Sequence, residues 1–169
     1  LLKKVIDDTE NALKIFKQNL QEIKLKDTIH RYSSNYILTL FAIADSYHRM
    51  NIPDSATKYI NKGLYKSYIR KDKYMYPDFL LLNGINNYLL KDYDQSLDSL
   101  YKASRLIQAL KKQSANESYC YQQIAIVLEK IDKKEEAFNY LVKMDSITDI
   151  NNYTDEKRQS YELIIDYYK

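Results

Sequence analysis

The stretch LLLNGINNYLLKDYDQSLDSLYKA, residues 80–103, decides the fold of this chain. Apolar residues recur at helical spacing on both sides of Lys91 and Asp92, which indicates two helices joined by a short turn. Gly84 lies on the first helix and Ser96 on the second, twelve positions further along. A glycine inside a helix costs about 1 kcal/mol relative to alanine. Close packing of the two helices at these small residues supplies a reason for Gly84.

The second helix of the pair carries a set of small and larger residues at fixed spacing, and this set occurs three times along the chain. Its members are Pro53, Ala56, Ile60 and Gly63, then Tyr93, Ser96, Leu100 and Ala103, then Lys134, Ala137, Leu141 and Met144. The small residue repeats after 40 positions from Ala56 to Ser96 and after 41 from Ser96 to Ala137. Even spacing of this kind predicts a stack of helix-turn-helix units.

A second small residue precedes each of these on the first helix of its pair. Ala44 precedes Ala56, Gly84 precedes Ser96 and Ala125 precedes Ala137, each by twelve positions. Two helices approach to the short end of the usual 8–10 Å range only where side chains are small. We therefore expect small residues to face one another within every pair.

This pattern resembles the tetratricopeptide repeat family, which combines large, small and aromatic positions on the first helix with small and aliphatic positions on the second. The matching residues are Leu40, Ile43, Ala44, Tyr47, Ala56, Ile60 and Gly63 in the first pair, Leu80, Gly84, Tyr93, Ser96, Leu100 and Ala103 in the second, and Tyr121, Ile124, Ala125, Ala137 and Leu141 in the third. The period exceeds the usual 34 residues. Asn83 stands where an aliphatic residue is expected and Met144 where a small one is expected.

The resemblance implies an all-α fold, a right-handed α-solenoid of antiparallel helical hairpins with about three full pairs and a half repeat at each end. We expect one domain over residues 1–169, cut from a longer chain. The apolar periodicity predicts eight helices, at about 1–25, 33–50, 54–68, 76–90, 94–111, 116–131, 134–146 and 154–168. Two glycines and two prolines in 169 residues leave little material for a strand-rich fold.

Composition and charge argue against several classes of function. With 26 basic and 23 acidic residues the net charge is +3, and the lysines look interspersed with acids, so direct nucleic-acid binding is not expected. The sequence contains no apolar run of 18 residues, so a membrane-inserted helix is not expected. The 18 tyrosines predict packing between helix layers with hydroxyl groups reaching water, or else an aromatic-lined groove.

Residues with catalytic or metal-binding chemistry are few. His30 and His48 lack cysteine or histidine partners at ligand spacing, so we expect no metal site and no cofactor. Cys120 is a nucleophile only if His48 approaches it, and a helical cysteine is usually a small buried hydrophobe. The sequence therefore predicts that the chain is not an enzyme.

The resemblance implies that the first helix of each pair lines an inner surface that binds a protein or peptide. By position, the candidate residues are Phe41, Asp45, His48, Arg49, Leu81, Ile85, Tyr88, Tyr119, Gln122, Gln123, Ile126 and Glu129. In this hypothesis Arg49 or His48 engages carboxylates, and Gln122 and Gln123 bond to a peptide backbone. The alternative is that neighbouring helices of missing repeats, or the helix predicted at 154–168, cover the apolar members Phe41, Leu81, Ile85 and Tyr88.

Three contexts fit such a module. The first is the sensor or interaction region of a bacterial transcriptional regulator or sensor kinase, located outside the inner membrane rather than in the cytoplasm. The second is a free-standing scaffold or co-chaperone, and the third is the repeat region of a cytoplasmic peptide-pheromone receptor. A homodimer through exposed terminal helices is also expected, since apolar stripes at both ends lack a covering repeat. These stripes contain Val5, Ile6, Leu13, Phe16 and Leu20, and Leu163, Ile164 and Tyr167.

Overall fold

The computed structural model describes residues 2–26, 34–110 and 115–151, and in these ranges the ordered elements are α-helices joined by short turns. The helices are α1 (Leu2–Lys26), α2 (Ser34–Arg49), α3 (Pro53–Ile69), α4 (Met75–Leu89), α5 (Tyr93–Ala109), α6 (Ala115–Lys130) and α7 (Lys134–Asn151). The first six begin and end within about two residues of the predicted bounds, and α7 runs five residues further than predicted. The helix predicted at 154–168 lies outside the described residues.

Consecutive helices pack against one another in chain order, as α1 with α2, α2 with α3, and so on to α7. The connections within the pairs α2–α3, α4–α5 and α6–α7 are only three residues long, which makes the paired helices antiparallel. Helix α1 packs on α2 in the place of the second helix of a preceding pair. The chain thus forms the right-handed α-solenoid of helical hairpins that the sequence predicts.

Four turns share one backbone geometry in which the second turn residue is left-handed. These residues are Asn51, Lys71, Lys91 and Asp132, with φ angles of 56°, 52°, 64° and 62°. After α4, for example, the amide of Asp92 donates to the carbonyl of Asn87 at 2.9 Å. The amide of Lys91 donates to the carbonyl of Tyr88 at 3.0 Å. This pair of bonds satisfies the last carbonyls of the helix. The same turn between α3 and α4 extends the repeat across the boundary between hairpins.

Gly84 and Ser96 are in contact, as the sequence predicts. The hydroxyl of Ser96 donates to the carbonyl of Gly84 at 2.7 Å. A Cβ atom on Gly84 would lie 2.5 Å from Cγ of Leu100 and 3.1 Å from the backbone oxygen of Ser96. A methyl group there would force the Leu100 side chain to move and would press on the backbone of Ser96, so the close approach of α4 and α5 favours glycine at this position.

Gly63 makes room for a side chain of the next hairpin rather than for its own partner helix. A Cβ atom on Gly63 would lie 2.1 Å from Cε1 and Cζ of Phe79, a residue with no exposed surface. The ring of Phe79 in turn meets the ring of Phe41 edge-on, with centroids 5.2 Å apart. The α3–α4 contact therefore depends on the absence of a side chain at residue 63.

The two departures from the family pattern have local explanations. Asn83 donates from Nδ2 to the hydroxyl of Ser99 at 2.9 Å, which links α4 to α5 by a polar contact in place of an aliphatic one. Met144 is fully buried and packs in the core that α4, α5, α6 and α7 share. An unbranched, flexible side chain fills such a position without strain.

A buried asparagine joins neighbouring hairpins. Asn86 on α4 has no exposed surface, and its Nδ2 donates to the carbonyl of Pro53 at 3.1 Å and to the hydroxyl of Thr57 at 2.9 Å. Both acceptors lie in the first turns of α3. The amide thus fixes the position of α4 relative to the start of α3.

The apolar stripe that the sequence predicts to be exposed on α1 is covered, which corrects part of the dimer hypothesis. Leu13 and Leu20 are buried in a cluster with Ile37 and Leu40 of α2, and Phe16 packs against the same cluster. The sequence expectation that these side chains are exposed is wrong because α2 itself covers them. The side chains of Val5 and Ile6, and residues Leu163, Ile164 and Tyr167, lie outside the described part of the chain.

Replacing Gly63 by alanine will destabilise the fold, although alanine is the better helix former. Overpacking a core typically costs 1–3 kcal/mol, and a buried ring at 2.1 Å places this site at the upper end. The higher helix propensity of alanine relative to glycine offsets about 1 kcal/mol of this cost. The expected loss in the free energy of unfolding is therefore about 1–2 kcal/mol. Urea unfolding followed by circular dichroism measures this loss.

The substitution Phe79→Leu provides the control for this prediction. It removes the ring atoms that a methyl group on residue 63 would strike. The Phe79→Leu change should therefore cost less stability in the Gly63→Ala background than in the wild type. An equal cost in both backgrounds would show that the two positions do not interact.

Candidate functional site

The first helices of the hairpins form one continuous face. Helix α4 contacts both α2 and α6, whereas α3, α5 and α7 do not contact one another within the described residues. Helices that lie closer together occupy the inside of a curved stack. The inner face is thus formed by α2, α4 and α6, where the resemblance placed the binding surface.

A cleft of about 230 Å³ opens on this inner face. Helices α2, α4 and α6 all contribute to its walls, and the lining residues are Phe41, Asp45, His48, Asp78, Leu81, Leu82, Ile85, Asn116 and Tyr119. Six of the twelve candidate residues are therefore brought together: Phe41, Asp45, His48, Leu81, Ile85 and Tyr119.

The other candidates lie at the rim of the cleft or beyond it. Arg49 is exposed beside the cleft and pairs with Asp45, Nε to Oδ2, at 2.7 Å. Tyr88 is half-buried against Tyr93, with ring centroids 5.8 Å apart. The remaining residues follow the cleft residues along α6, where Gln122, Gln123 and Ile126 are half-buried and Glu129 is exposed.

The floor of the cleft is apolar and firmly packed. Leu81, Leu82 and Ile85 are buried in the helical core, and Phe41 rests on the ring of Phe79. These side chains are covered from behind by the described helices. They form a surface under the cleft and do not project as free anchors.

Sequence reasoning missed the two polar residues that close one side of the cleft. Nδ2 of Asn116, in the first turn of α6, donates to Oδ1 of Asp78 on α4 at 2.9 Å. Asp78 lies one helical turn before Leu81, and Asn116 lies one turn before Tyr119. That three-residue spacing from candidate residues is the signal that would have identified them.

Burial shifts the ionisation of several groups around the cleft. It raises the pKa of the Asp78 carboxyl, and the hydrogen bond from Asn116 opposes this shift. Burial lowers the pKa of His48, with the charge of Asp45 opposing it, so the imidazole is neutral at neutral pH. The pKa of Tyr119 is raised by burial and then by the negative charge of Asp45. Nδ1 of His48 is buried without a hydrogen-bond partner among the described residues.

A second hollow of about 500 Å³ adjoins the first. It lies where α4 and α6 begin and α5 ends, and it is lined by Lys73, Tyr74, Pro77, Asp78, Ile107, Ala109, Leu110 and Asn116. Asp78 and Asn116 line both spaces. The hydrogen-bonded pair is therefore a shared wall between the two hollows.

Most of the tyrosines within the described ranges are at least partly buried, in agreement with the first of the two expectations. Tyr47 stacks on Tyr59, and Tyr140 lies between Tyr101 and Tyr121, with ring centroids 5.7 to 6.0 Å apart. Tyr119 is the tyrosine that lines the cleft, so tyrosine contributes little to this surface.

Cys120 is a buried structural thiol. It has no exposed surface, and its Sγ donates to the carbonyl of Leu100 at 3.3 Å. Burial raises the pKa of the thiol to about 12, with the charge of Glu117 adding to the shift. The nucleophile is the thiolate, which this environment suppresses.

No metal-binding group of three His, Cys, Asp or Glu side chains is found among the described residues. His30 lies outside the described part of the chain. None of the helices that the structure describes is long and apolar enough to cross a membrane.

The comparisons identify the fold. No family model matches the sequence, and no curated protein matches it either. Several solved structures are similar to this chain, among them the following three. A kinesin-light-chain-like protein of Podosopora anserina with nearly identical TPR-like repeats has a TM-score of 0.76 and 8% identity, over 99% of this chain and 82% of that one. BtubC (BKLC) from P. vanneervenii has a TM-score of 0.74 and 12% identity, over 99% and 66% of the two chains. MamA has a TM-score of 0.61 and 15% identity, over 98% and 92%. At these identities the likeness shows a TPR-like fold and nothing more.

Cys120 will resist alkylation in the folded protein. At pH 8 a thiol of pKa about 12 has roughly a thousandfold less thiolate than one of pKa 9.0. We expect iodoacetamide to modify the native protein at least about a hundredfold more slowly than the urea-unfolded chain. Intact-mass measurement at timed intervals gives both rates, and equal rates would contradict the buried placement.

Stability will fall at alkaline pH. The folded-state pKa values of Cys120, Tyr101 and Tyr121 are raised to about 12, from ordinary values of 9.0, 10.0 and 10.0. These three raised pKa values contribute to the free energy of unfolding in full below about pH 9. The contribution is lost as the pH rises toward about 12, because the unfolded chain releases these protons first. Urea midpoints measured from pH 7 to 11 test this. The Cys120→Ala variant should delay the fall by about one pH unit, and a constant midpoint to pH 11 would contradict it.

Proposed function

We propose that this chain is a non-catalytic module that binds a peptide segment of a partner protein in the cleft on its inner face. The observation that carries the proposal is the convergence of α2, α4 and α6 on one hollow with an apolar floor and a polar rim. Repeat solenoids commonly use such concave surfaces for recognition. The TPR-like fold is also consistent with a protein-interaction module.

The size of the cleft favours one anchoring side chain of a longer peptide. Sites for small molecules and cofactors usually measure about 300–1,000 Å³, and this cleft is smaller. Its floor of Phe41, Leu81 and Ile85 offers only apolar contacts. The anchor is therefore a leucine, isoleucine or phenylalanine, in the manner of the buried anchors that dominate protein interfaces.

The rim supplies hydrogen bonds for the peptide backbone. The pKa of His48 is lowered, so its imidazole is neutral at neutral pH and is suited to a neutral hydrogen bond rather than to the charged carboxylate contact expected from sequence. Asn116 and the exposed Tyr119 lie across the cleft from it. Arg49 remains a carboxylate partner at the edge, because its side chain is 69% exposed although Nε pairs with Asp45.

The second hollow gives the bound peptide a path. Asp78 and Asn116 separate it from the cleft, so a chain anchored on Ile85 would pass over this pair toward Tyr74. Gln123 lies on the opposite side, further along α6, and is half-buried. We propose that the peptide crosses the first helices of the hairpins between Tyr74 and Gln123.

A co-chaperone that clamps a terminal carboxylate is the weaker alternative. The residues available for such a clamp are Arg49, Asn86, Asn87 and Lys130. Asn86 has no exposed surface, and its amide group already bonds to Pro53 and Thr57. A clamp on these residues would lack one of its members.

The biological setting stays a prediction from sequence. We propose the sensor or interaction region of a bacterial transcriptional regulator or sensor kinase, located outside the inner membrane. A kinase or DNA-binding domain in the same polypeptide would support this setting, and a polypeptide of repeats alone would favour a scaffold. A helix-turn-helix domain preceding the repeats would favour a cytoplasmic pheromone receptor.

Selection from a phage library of random 12-residue peptides tests the proposed function. We expect the selected peptides to share one apolar anchor, and the Tyr119→Ala variant to bind them at least about tenfold more weakly. Tyr119 is 41% exposed, so the substitution leaves the core intact. Fluorescence anisotropy with labelled selected peptides measures the affinities.

The matched control is Tyr65→Ala, which removes another exposed tyrosine from the outer side of α3. This variant should bind the same peptides as tightly as the wild type. Equal loss in both variants, or peptides without a shared apolar residue, would contradict a peptide site in the cleft.

A further inference from the structure

A basic segment interrupts the otherwise balanced charge of the chain. Residues 58–73 contain five lysines and one arginine but only one acid, which gives a net charge of +5. Since the whole chain carries +3, the remaining residues together carry −2. The expectation that lysines are interspersed with acids is therefore wrong for this segment.

The basic segment lies on the outer side of the solenoid. Lys58, Lys62 and Lys66 recur every four residues on α3, opposite the buried stripe that contains Ile60 and Gly63. Arg70, Lys71 and Lys73 follow in the turn before α4. Three of the six cations thus lie along the exposed side of α3 and three follow its end, where Lys73 also borders the second hollow.

Exposed apolar side chains alternate with these cations. Tyr65, Tyr68, Ile69 and Tyr74 are 59%, 67%, 48% and 61% exposed. The ammonium groups of Lys66 and Lys73 lie 5.3 and 5.2 Å from the ring centroids of Tyr65 and Tyr74. We call this set of cations and apolar side chains the basic aromatic patch.

The charge of the basic aromatic patch is largely unneutralised. Lys58, Lys62, Arg70 and Lys71 have no ion pair within the described residues. The one acid, Asp72, accepts hydrogen bonds at Oδ1 from the amides of Tyr74 and Met75, at 3.1 and 3.0 Å, and so caps the start of α4. An anionic partner is therefore the complement of this surface.

We propose that the basic aromatic patch adsorbs the module to the surface of an anionic lipid membrane. Clusters of four to eight lysines and arginines on a helix are attracted to anionic lipids without specific pairing geometry. Tyrosine is favoured at the membrane–water interface, and long lysine side chains place their charge in the headgroup layer while apolar neighbours dip below it.

The composition and shape of the patch favour a membrane over other anionic partners. Protein interfaces are enriched in arginine and depleted in lysine, yet lysines outnumber arginine here five to one. Single-stranded nucleic acid is bound in grooves with stacked bases, whereas these side chains project from the outer side of one helix and its turn. Adsorption through this side also leaves the inner cleft facing away from the lipid.

Vesicle co-sedimentation tests the proposal. The full chain should bind vesicles of phosphatidylcholine with about a third phosphatidylserine, and bind pure phosphatidylcholine vesicles much more weakly. Each cation near the surface contributes about fivefold in partitioning, so the triple variant Lys62→Gln, Arg70→Gln, Lys71→Gln should bind roughly a hundredfold more weakly. The Tyr65→Ser, Tyr68→Ser variant should also bind less, because its interfacial side chains are lost.

A second triple variant separates the patch from net charge. Lys102→Gln, Lys133→Gln, Lys134→Gln also lowers the net charge from +3 to 0, but at exposed positions outside the patch. It should bind anionic vesicles like the wild type. Equal loss in both triple variants, equal binding to the two kinds of vesicle, or tighter binding to a single-stranded oligothymidylate or to polyglutamate at the same salt would overturn the proposal.

The peptide site and the patch are tested independently by this design. The Tyr119→Ala variant should keep vesicle binding, and the Tyr65→Ser, Tyr68→Ser variant should keep the binding of selected peptides. All changes are at exposed positions, and thermal unfolding by circular dichroism confirms that each variant is folded. Loss of vesicle binding in the Tyr119→Ala variant would contradict the placement of the membrane surface on the outer side.

Discussion

The architecture depends on close approach of helices at residues that have almost no side chain. At Gly84 the backbone of α4 comes near enough to α5 for the hydroxyl of Ser96 to bond directly to a main-chain carbonyl. At Gly63 the missing side chain leaves space for the ring of Phe79. The first contact closes a hairpin, and the second joins one hairpin to the next. Both are needed because packed interiors tolerate neither a void nor an extra methyl group.

The cleft is a consequence of these contacts. Phe79 occupies the space that Gly63 leaves, and Phe41 packs edge-on against Phe79 to form part of the cleft floor. Asn86 holds α4 against the first turns of α3 by two hydrogen bonds. A site built on helices positioned in this way is largely preformed, so a peptide loses less free energy to ordering of the protein when it binds.

The sequence predicts the helices and their pairing well because both follow from local periodicity. Small residues twelve positions apart indicate where Gly84 meets Ser96. The contact of Gly63 with Phe79 crosses from one hairpin to the next, and its geometry depends on the rotation between successive repeats, which the pattern does not encode. Asp78 and Asn116 lie one turn before candidate residues on the same helices, so the pattern could have identified them, but their hydrogen bond to each other again crosses from one hairpin to the next. The expected exposure of Leu13 was wrong because α1 packs on α2 as a true member of the stack.

The two proposed surfaces use the two sides of one curved stack. The first helices lie close together on the inner side, where their buried leucine and isoleucine side chains form the floor of a small hollow. The second helices are further apart and expose more surface, and α3 with the turn that follows it places six cations there beside three exposed tyrosines. Charge at the outer side is stable because water solvates it, whereas the same cations on the inner side would lose hydration against an apolar floor. Curvature thus separates a hollow that favours an apolar side chain from a surface that favours a diffuse negative charge, and Lys73 and Tyr74, which line the second hollow, lie where the two regions meet.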